Sequence, residues 1–561
     1  MASPIISALL LIPALCGAAS IVAAGQTGIR VEFDPLATAL ADNRLTNREG
    51  TIPPQCYTKT GAYSNPCWAC HTTRNGRNLK DDWEFQAKYE FSDTGRENHW
   101  TNLFKDRRTD IAAISDAKAL VWIREDNYSA LRTRLASRSG YIGWRPNLDF
   151  AKGFDADGFA RDGSGWRAFR YKPFPGTFWP TNGSADDVFI RLPDRFRRDS
   201  RGRPSTLIYR INLAILEAVV GVPDTVAAAD AQRRVEPLDE AVAGMDLDGD
   251  GRVGGIVTIL AGIPRHYAGA AQAVPTVRFE YPVGTEFLHT VRYLDPDRPD
   301  LLSTRMKEVR YSIKYRRLTD PVLEQQHVEE EHERKIGALS TFGGNANSGL
   351  TTASGWVQQG FIEAASGDLR LQTRQEQMYC VGCHGSIGVT VDGTFALPRK
   401  VPGLAGWGHQ DLAGIQDVPQ AGSRTPEILS YLQRVGGGDE FRANDEVLAR
   451  FFPHGRLDRR GVSKAAPGGT ADIRDLVVPS RQRALALDKA YMVIVAEQSY
   501  ARGREPVIAP ARNVNAHLEN TATALRASSR IYQDGRLWLD WGDVSVAARK
   551  RPIAALQTVP R

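Results

Sequence analysis

Two pentapeptides carry the residues of this chain that are best suited to chemistry. They are CWACH at residues 67–71 and CVGCH at residues 380–384, so both follow the pattern C-x-x-C-H. Two thiols spaced in this way can bond the two vinyl groups of one haem, and the histidine that follows can bind the iron as proximal ligand. The motifs therefore predict two covalently bound haem c groups. The attaching and proximal residues are Cys67, Cys70, His71, Cys380, Cys383 and His384.

Other interpretations of a C-x-x-C pair are a redox-active dithiol and half of a zinc site. A zinc site made from two such pairs would place them roughly 12–20 residues apart, whereas these pairs begin at residues 67 and 380. Histidine follows both pairs directly, and the two pairs use four of the six cysteines in the chain. Covalent haem is therefore the favoured interpretation.

The sixth ligand of each iron separates electron transfer from catalysis at the haem. Methionine is scarce, with five in the chain including Met1, whereas there are ten histidines. His99 follows the first motif and His409 follows the second within a distance that suits a loop and a helix. We therefore expect at least one bis-histidine haem with His99 or His409 as distal ligand. The alternatives are His266, His289, His327, Met306 and Met492.

A second candidate site is an acidic loop that resembles the opening of an EF-hand calcium loop. Carboxylates occupy its first, third and fifth positions: Asp246, Asp248 and Asp250. Gly251 follows at the turn, and the carbonyl of Arg252 would supply the next ligand. The loop departs from the pattern where Val257 replaces the usual bidentate glutamate. The sequence predicts one structural calcium ion here, and an acidic turn without an ion is the alternative.

The N-terminal residues have the composition of an export signal. An apolar stretch runs from Ile5 to Ala24, and the first charged residue is Arg30. Residues 1–24 are therefore predicted to be a cleaved signal peptide. An uncleaved membrane anchor and a lipoprotein modified on Cys16 are the alternatives. Export to the bacterial periplasm agrees with covalent haem, because haem c is attached on the outer face of the inner membrane.

Composition narrows the classes of partner. Hydrophobic residues make up 42% and charged residues 24% of the chain, which are ordinary values for a globular protein. The net charge is +6, and the propionates of two haems would neutralise much of it, so no nucleic-acid partner is expected. The expected partners are other exported redox proteins or cytochromes. Membrane contact is expected only if the N-terminal segment stays uncleaved.

Hydrophobic periodicity predicts a mixed α+β fold. Residues 117–136, 306–317 and 481–502 have helical spacing, whereas residues 187–192 and 276–281 alternate as strands do. We expect mainly α-helical, cytochrome c-like haem regions at both ends and a β-rich middle region. The predicted regions are 25–150 for the first haem, 151–340 for the β-rich part with the acidic loop, and 341–561 for the second haem.

With two C-x-x-C-H motifs behind an export signal, the chain resembles the periplasmic dihaem c-type cytochromes. The resemblance covers the motifs alone, and it implies electron transfer between exported redox partners. Bacterial dihaem peroxidases and their quinone-cofactor-forming relatives also carry two such motifs, although closer together, and dihaem rubber-cleaving oxygenases are nearer in size. The alternative function is therefore a peroxidase- or oxygenase-like dihaem oxidoreductase in which one haem keeps an open site.

Overall fold

The computed structural model describes most of the chain. The described residues are 33–41, 45–59, 67–70, 89, 91–176, 178–223, 226–336, 342–385, 389–435, 444–463, 472–519, 522 and 538–542. Pro35–Arg561 pack as one compact unit. The region boundaries predicted within this unit, at residues 150 and 340, stay predictions.

The largest element is an eight-stranded antiparallel sheet, and a separate two-stranded hairpin accompanies it. The strands are β1 (Arg167–Phe169), β2 (Ala185–Arg191), β3 (Gln232–Asp239), β4 (Ile256–Ala261), β5 (Glu286–Leu294), β6 (Leu302–Lys314), β7 (Gly344–Asn345), β8 (Gly349–Thr351), β9 (Trp356–Glu363) and β10 (Leu369–Leu371). The order in the large sheet is β1-β2-β5-β6-β9-β8-β7, with β10 also paired to β9, and β3 pairs with β4 to form the hairpin.

Both faces of the large sheet are covered, because successive side chains of a strand point to opposite faces. In β2, Val188 and Ile190 belong to one buried apolar cluster. Phe189, between them, belongs to a second cluster, which also contains Val309 and Phe361 of β6 and β9. The first of these two faces carries the candidate site described below.

Helices pack around the sheet, and the longest apolar one is Thr206–Gly221, which is buried along nearly its whole length. The helices are Ala37–Ala41, Cys67–Cys70, Asp93–Arg96, Arg108–Ala112, Asp116–Arg124, Tyr128–Ala136, Thr206–Gly221, Glu240–Ala243, Asp320–Lys335, Arg374–His384, Glu427–Val435, Asp445–Phe451, Arg459–Ser463, Arg474–Val477 and Arg481–Glu497. Within the described residues, none of them has both the length and the apolar character to cross a membrane.

The prediction of cytochrome c-like helical regions at both ends was wrong. The second motif lies on the helix Arg374–His384, which packs on β8 and β9 of the large sheet. Met378 and Val381 of this helix share an apolar cluster with Leu350 of β8. The helical period identifies the apolar face of a helix, but it does not say whether a sheet or another helix will cover that face.

Two local predictions were also wrong. Residues 306–317 were predicted to be helical, but 306–314 belong to the long strand β6. Residues 276–281 were predicted to form a strand, but they contain a turn in which Phe279 has a φ of 62°. In the first case long-range pairing overrode the local pattern, since β6 is paired on both sides, by β5 and β9.

Candidate functional site

The helix that carries the second motif is fixed firmly at its start. The side chain of Thr373 accepts a hydrogen bond from the Glu376 amide at 3.2 Å, and the Glu376 carboxylate accepts one from the Thr373 amide at 2.8 Å. This reciprocal pair is a capping box, which satisfies two amides at the helix start. Glu376 also binds Arg370 of β10 through two contacts of 2.9 Å. The far end of the helix, with Cys380, Cys383 and His384, is therefore held in a fixed position against the sheet.

His384 has the hydrogen bonding of a metal ligand. Its Nδ1 lies 2.9 Å from the carbonyl oxygen of Gly393, and its ring meets Phe395 edge-on with 5.3 Å between centroids. Burial lowers the pKa of His384 to about 4, so the ring is neutral at pH 7. A neutral ring that donates Nδ1–H to a carbonyl carries a lone pair on Nε2. This is the usual state of a histidine that binds a metal.

The two cysteines of this motif are not activated thiols. Burial raises the pKa of Cys380 above its ordinary value and that of Cys383 to about 12. A redox-active dithiol needs a lowered thiol pKa, because the thiolate is the reactive form. The surroundings of Cys380 and Cys383 therefore do not favour dithiol chemistry, and they suit sulfurs that end up as uncharged thioethers.

All three motif residues line one cavity. Large apolar rings form much of its wall: Phe174, Phe178, Phe287, Trp356, Tyr379 and Phe395. An apolar, aromatic wall beside two cysteines and a neutral histidine fits a haem, whose flat ring is apolar on both faces.

The floor of the cavity is one face of the large sheet. His289 of β5 stands between Val188 of β2 and Arg310 of β6, because these three residues are directly paired in the strand register. All three line the cavity. The sheet therefore places one histidine and one arginine on the surface that a ligand bound at His384 would face.

The buried Arg504 and the partly buried Arg310 share a single carboxylate at the cavity wall. Glu308 of β6 lies 2.9 Å from Nε of Arg310 and 2.8 Å from Nη1 of Arg504. Burial by itself would raise the pKa of Glu308, but the two guanidinium groups outweigh it and lower the pKa to about 2. The cluster therefore holds two positive charges against one negative charge. An excess positive charge of this kind suits the carboxylates of a haem edge.

The structure brings the first motif to the same cavity. The side chain of Cys70 lines it, and the carbonyl oxygen of Cys70 accepts a hydrogen bond from the Val389 amide at 3.2 Å. Ala69 shares a buried cluster with Val389 and Val391, which follow the second motif. The side chain of Cys67 and the whole of His71 lie outside the described residues, so the first haem stays a prediction at those positions.

Because both motifs lie near one cavity, their cysteines could in principle bind one shared metal ion. Among the described residues, the acidic loop supplies the one group of three or more cysteine, histidine or carboxylate residues whose ligand atoms lie within 4.8 Å of one another. Cys70, Cys380 and Cys383 do not form such a group. The described residues therefore give no support for chelation of one small ion by both cysteine pairs.

The two histidines predicted as distal ligands do not line this cavity. Nε2 of His99 lies 3.1 Å from the carbonyl oxygen of Thr94. His409 is 41% exposed, with Nδ1 3.4 Å from Asp187, and its ring packs on Phe154 and Phe189. Asp187 and Phe189 point to the sheet face opposite to Val188. As ligands of a haem elsewhere, His99 and His409 stay predictions.

Several residues of the cavity were not singled out from the sequence. Glu308, Arg310 and Arg504 carry no motif, and they meet because β6 and the segment after Arg481–Glu497 pack together. The sequence offers His289 as an alternative ligand, but it gives no reason to prefer this histidine, because it does not show which cavity β5 faces. A charged residue inside an otherwise apolar strand is a weak signal that could have drawn attention to Glu308 and Arg310.

The acidic loop forms a compact turn. The carboxylates that come together there are not the same set as the sequence predicted. Ligand atoms of Glu240, Asp246 and Asp248 lie within 4.8 Å of one another, whereas Asp250 is outside this group. Asp250 accepts a hydrogen bond from the Arg252 amide at 2.8 Å. Glu240 begins a short helix before the loop, and it accepts hydrogen bonds from the amides of residues 247, 248 and 254. Calcium at this loop stays a prediction.

We expect added calcium to raise the melting temperature of chelator-treated protein, because three crowded carboxylates repel one another without a cation. Binding should be weak, with a dissociation constant of roughly 10⁻⁴–10⁻³ M. Asp248→Asn should abolish the increase, whereas Asp250→Asn should retain most of it. Thermal unfolding with and without calcium measures this. An unchanged melting temperature in the parent protein would mean that the turn is acidic without binding calcium.

Comparison with known proteins identifies relatives by sequence. A family model described as "-like lipoprotein" matches residues 40–467. An uncharacterized lipoprotein of Aquifex aeolicus (strain VF5) is 33% identical over 519 residues, which cover 82% of this chain and 86% of that protein. No solved structure matches the chain.

Proposed function

We infer that this chain, which belongs to the lipoprotein family described above, is a haem-carrying redox protein. Membership in that family makes it an exported protein associated with the cell envelope. The matched family is a lipoprotein family and not a cytochrome family, so the resemblance to the periplasmic dihaem c-type cytochromes was wrong as a family assignment. The proposal of haem rests on the residues of the chain and on the cavity that they line.

One observation carries the proposal. His384 has Nδ1 engaged by the Gly393 carbonyl at 2.9 Å and a neutral ring, and it lines an aromatic cavity together with Cys380 and Cys383. A C-x-x-C-H motif that occurred by chance would have no reason to end at an aromatic cavity. The capped helix therefore presents two attachment sulfurs and one axial nitrogen to the same space.

Electron transfer is the function that we propose for this site. Bound haem would supply a one-electron couple, and the chain would supply the axial ligand, the buried surroundings and the charges that set the potential. His384 would bind the iron, while Arg310 and Arg504 would offset the negative charge of the propionates. The proposed partners are other exported redox proteins, since the haem itself would exchange electrons with both the donor and the acceptor.

The proposal predicts two covalent haems per chain. A pyridine haemochrome assay should count two, and the chain should stain for haem on a denaturing gel. The double variant Cys380→Ala/Cys383→Ala should keep one haem, as should Cys67→Ala/Cys70→Ala, because each motif supplies both sulfurs for its own haem. Combining all four substitutions should abolish the stain.

Cys56→Ser serves as the matched control, because Cys56 lies outside both motifs, and this variant should keep two haems. A parent protein without acid-stable haem would refute the proposal. A parent with two haems whose count does not fall in either double variant would also refute it, because the haem would then be attached elsewhere.

A second candidate function is a dihaem oxidoreductase with one open-site haem. The observation that favours it is the polar pair His289 and Arg310 on the cavity floor. A histidine can donate or accept protons, and an arginine can stabilise negative charge on a small oxidant. Absorption and EPR spectra with and without peroxide separate the two functions. A five-coordinate high-spin haem that reacts with peroxide would favour the oxidoreductase, whereas six-coordinate low-spin haems would favour the carrier.

The proposal also specifies the cell compartment in which the protein acts. We place the folded chain in the periplasm, because covalent haem attachment takes place outside the bacterial inner membrane. Cys16 is the cysteine that the N-terminal apolar stretch offers for a lipid. The haem-stained band should therefore be recovered with the envelope fraction of cells, and a band found in the cytoplasm would contradict this location.

A further inference from the structure

We propose that His289 is the second axial ligand of the haem attached at Cys380 and Cys383, and that Asp186 orients it. This inference rests on the haem proposed above. It goes beyond that proposal because it names the ligand that completes the coordination begun by His384. It also makes this haem six-coordinate, which is the state expected of an electron carrier.

The first argument is position. His289 lies on β5 and faces the cavity that His384, Cys380 and Cys383 also line. Its side chain is 17% exposed, so most of the ring is shielded while one side remains accessible from the cavity. Phe178 meets the ring edge-on, with 4.9 Å between the centroids. The histidine is therefore confined to the cavity floor instead of extending into bulk solvent.

The second argument is the hydrogen bonding of the ring. Nε2 of His289 lies 2.9 Å from Oδ2 of Asp186, a carboxylate that is 3% exposed and also accepts a hydrogen bond from the Tyr171 hydroxyl. Within the described part of the chain, Nδ1 of His289 has no hydrogen-bond partner. Histidines that bind metals usually donate their other ring N–H to a carboxylate or a backbone carbonyl.

His384 and His289 show a related arrangement on one cavity, in which the engaged nitrogen is Nδ1 for His384 and Nε2 for His289. Each has one ring nitrogen engaged by a protein oxygen, which is the Gly393 carbonyl for His384 and the Asp186 carboxylate for His289. Each leaves its second nitrogen available to a metal. Two oriented imidazoles on the walls of one aromatic cavity form the donor set of a bis-histidine haem.

The neighbouring carboxylate on β2 provides an internal comparison. Asp187 follows Asp186 directly, so its side chain points to the opposite sheet face. There it pairs with His409, at 3.4 Å from Nδ1. His409 thus has a carboxylate partner as His289 does, but it lies against Phe154 and Phe189 and away from the motif cysteines. The two histidine–carboxylate pairs differ mainly in the face that they occupy.

This comparison yields a matched experiment on the purified holoprotein. His289→Ala should convert one haem from low-spin to high-spin in EPR and absorption spectra, and added imidazole should restore the low-spin form. In the Cys67→Ala/Cys70→Ala background, which should keep this haem alone, His409→Ala should keep the spectrum of that background, because its ring faces the other side of the sheet. An unchanged spectrum in His289→Ala, or a spin change in His409→Ala alone within that background, would overturn the inference.

Asp186→Asn provides a second test of the inference in case His289→Ala accumulates poorly. The variant retains His289 but removes the negative charge that makes the ring more basic. The haem should stay low-spin, while its midpoint potential rises relative to the parent and to the Asp187→Asn control. Equal potentials in the two variants would overturn the inference. A parent protein without covalent haem would instead refute the proposed function itself, so the two failures are distinguishable.

Discussion

Replacing Glu427 with alanine is expected to lower the free energy of unfolding by about 3–5 kcal/mol, the usual cost of leaving buried charges unpaired. The Glu427 carboxylate accepts hydrogen bonds from Nη1 of Arg399 at 2.8 Å and from Nη2 at 2.6 Å, and it also binds Lys172. All three side chains are fully buried. Without Glu427, Lys172 would keep Asp417 at 3.1 Å, and Arg399 would lose its two hydrogen bonds to a carboxylate.

This cluster also supports the candidate site. Arg399 donates hydrogen bonds to the carbonyl oxygens of Lys172 and Pro173 at 2.8 and 3.0 Å. Pro173 and Phe174 line the cavity. Loss of Glu427 should therefore loosen one wall of the cavity as well as destabilise the fold.

Urea unfolding of the parent and variant measures the effect of Glu427→Ala. Asp445→Ala is the control, because the Asp445–Arg512 pair is 73% and 77% exposed and should contribute under about 1 kcal/mol. The quadruple variant Lys172→Met/Arg399→Met/Asp417→Asn/Glu427→Leu should recover much of the lost stability, since it removes all four charges together. A loss for Glu427→Ala no larger than that of the control would contradict the prediction.

Replacing Glu308 with glutamine is the second substitution with a large expected effect. The carboxylate lies between Arg310 and Arg504, and it also accepts a hydrogen bond from Gln372 at 3.1 Å. Its loss removes the carboxylate that pairs with the guanidinium groups of Arg310 and Arg504 at the cavity wall. We expect a destabilisation of about 3–5 kcal/mol. We also expect a higher haem potential, because added positive charge disfavours the oxidised iron.

Potentiometric titration together with urea unfolding checks both effects of Glu308→Gln. Glu286→Gln is the matched control: Glu286 on β5 pairs with Arg191 at 13% exposure of both side chains, and it does not line the cavity. The control should lose stability without a change in potential. If Glu308→Gln kept the haem potential of the parent, the result would contradict the prediction that this carboxylate influences the haem.

The same two carboxylates predict how stability depends on pH. Burial alone would raise the pKa of Glu308 and of Glu427, but their arginine and lysine partners outweigh it and lower each pKa to about 2. Both carboxylates therefore ionise more readily in the folded than in the unfolded chain, where the ordinary value is 4.5. Their contribution is fully present above pH 4.5 and is lost as the pH falls towards 2.

Some features of this protein were determined by the sequence alone. The C-x-x-C-H spacing identified Cys380, Cys383 and His384 as a group, since three nearby positions on one helix must lie together whatever the rest of the fold does. The apolar N-terminal stretch predicted export, which membership in a lipoprotein family agrees with. The strand predicted at residues 187–192 is confirmed in its main part as β2, because alternation of apolar and polar residues is a local property.

The tertiary structure decided what long-range pairing controls. Residues 306–317 have a helical pattern, yet 306–314 lie in β6, because hydrogen bonding to β5 and β9 stabilises an extended backbone there. Position along the chain favoured His409 over His289, but strand register places His289 on the cavity face and leaves His409 on the other side of the sheet. Cys70 lines the same cavity as Cys380 and Cys383, and its carbonyl oxygen accepts a hydrogen bond from Val389, which follows the second motif. A sequence specifies which residues are near in the chain, whereas packing across a sheet determines which of them share a cavity.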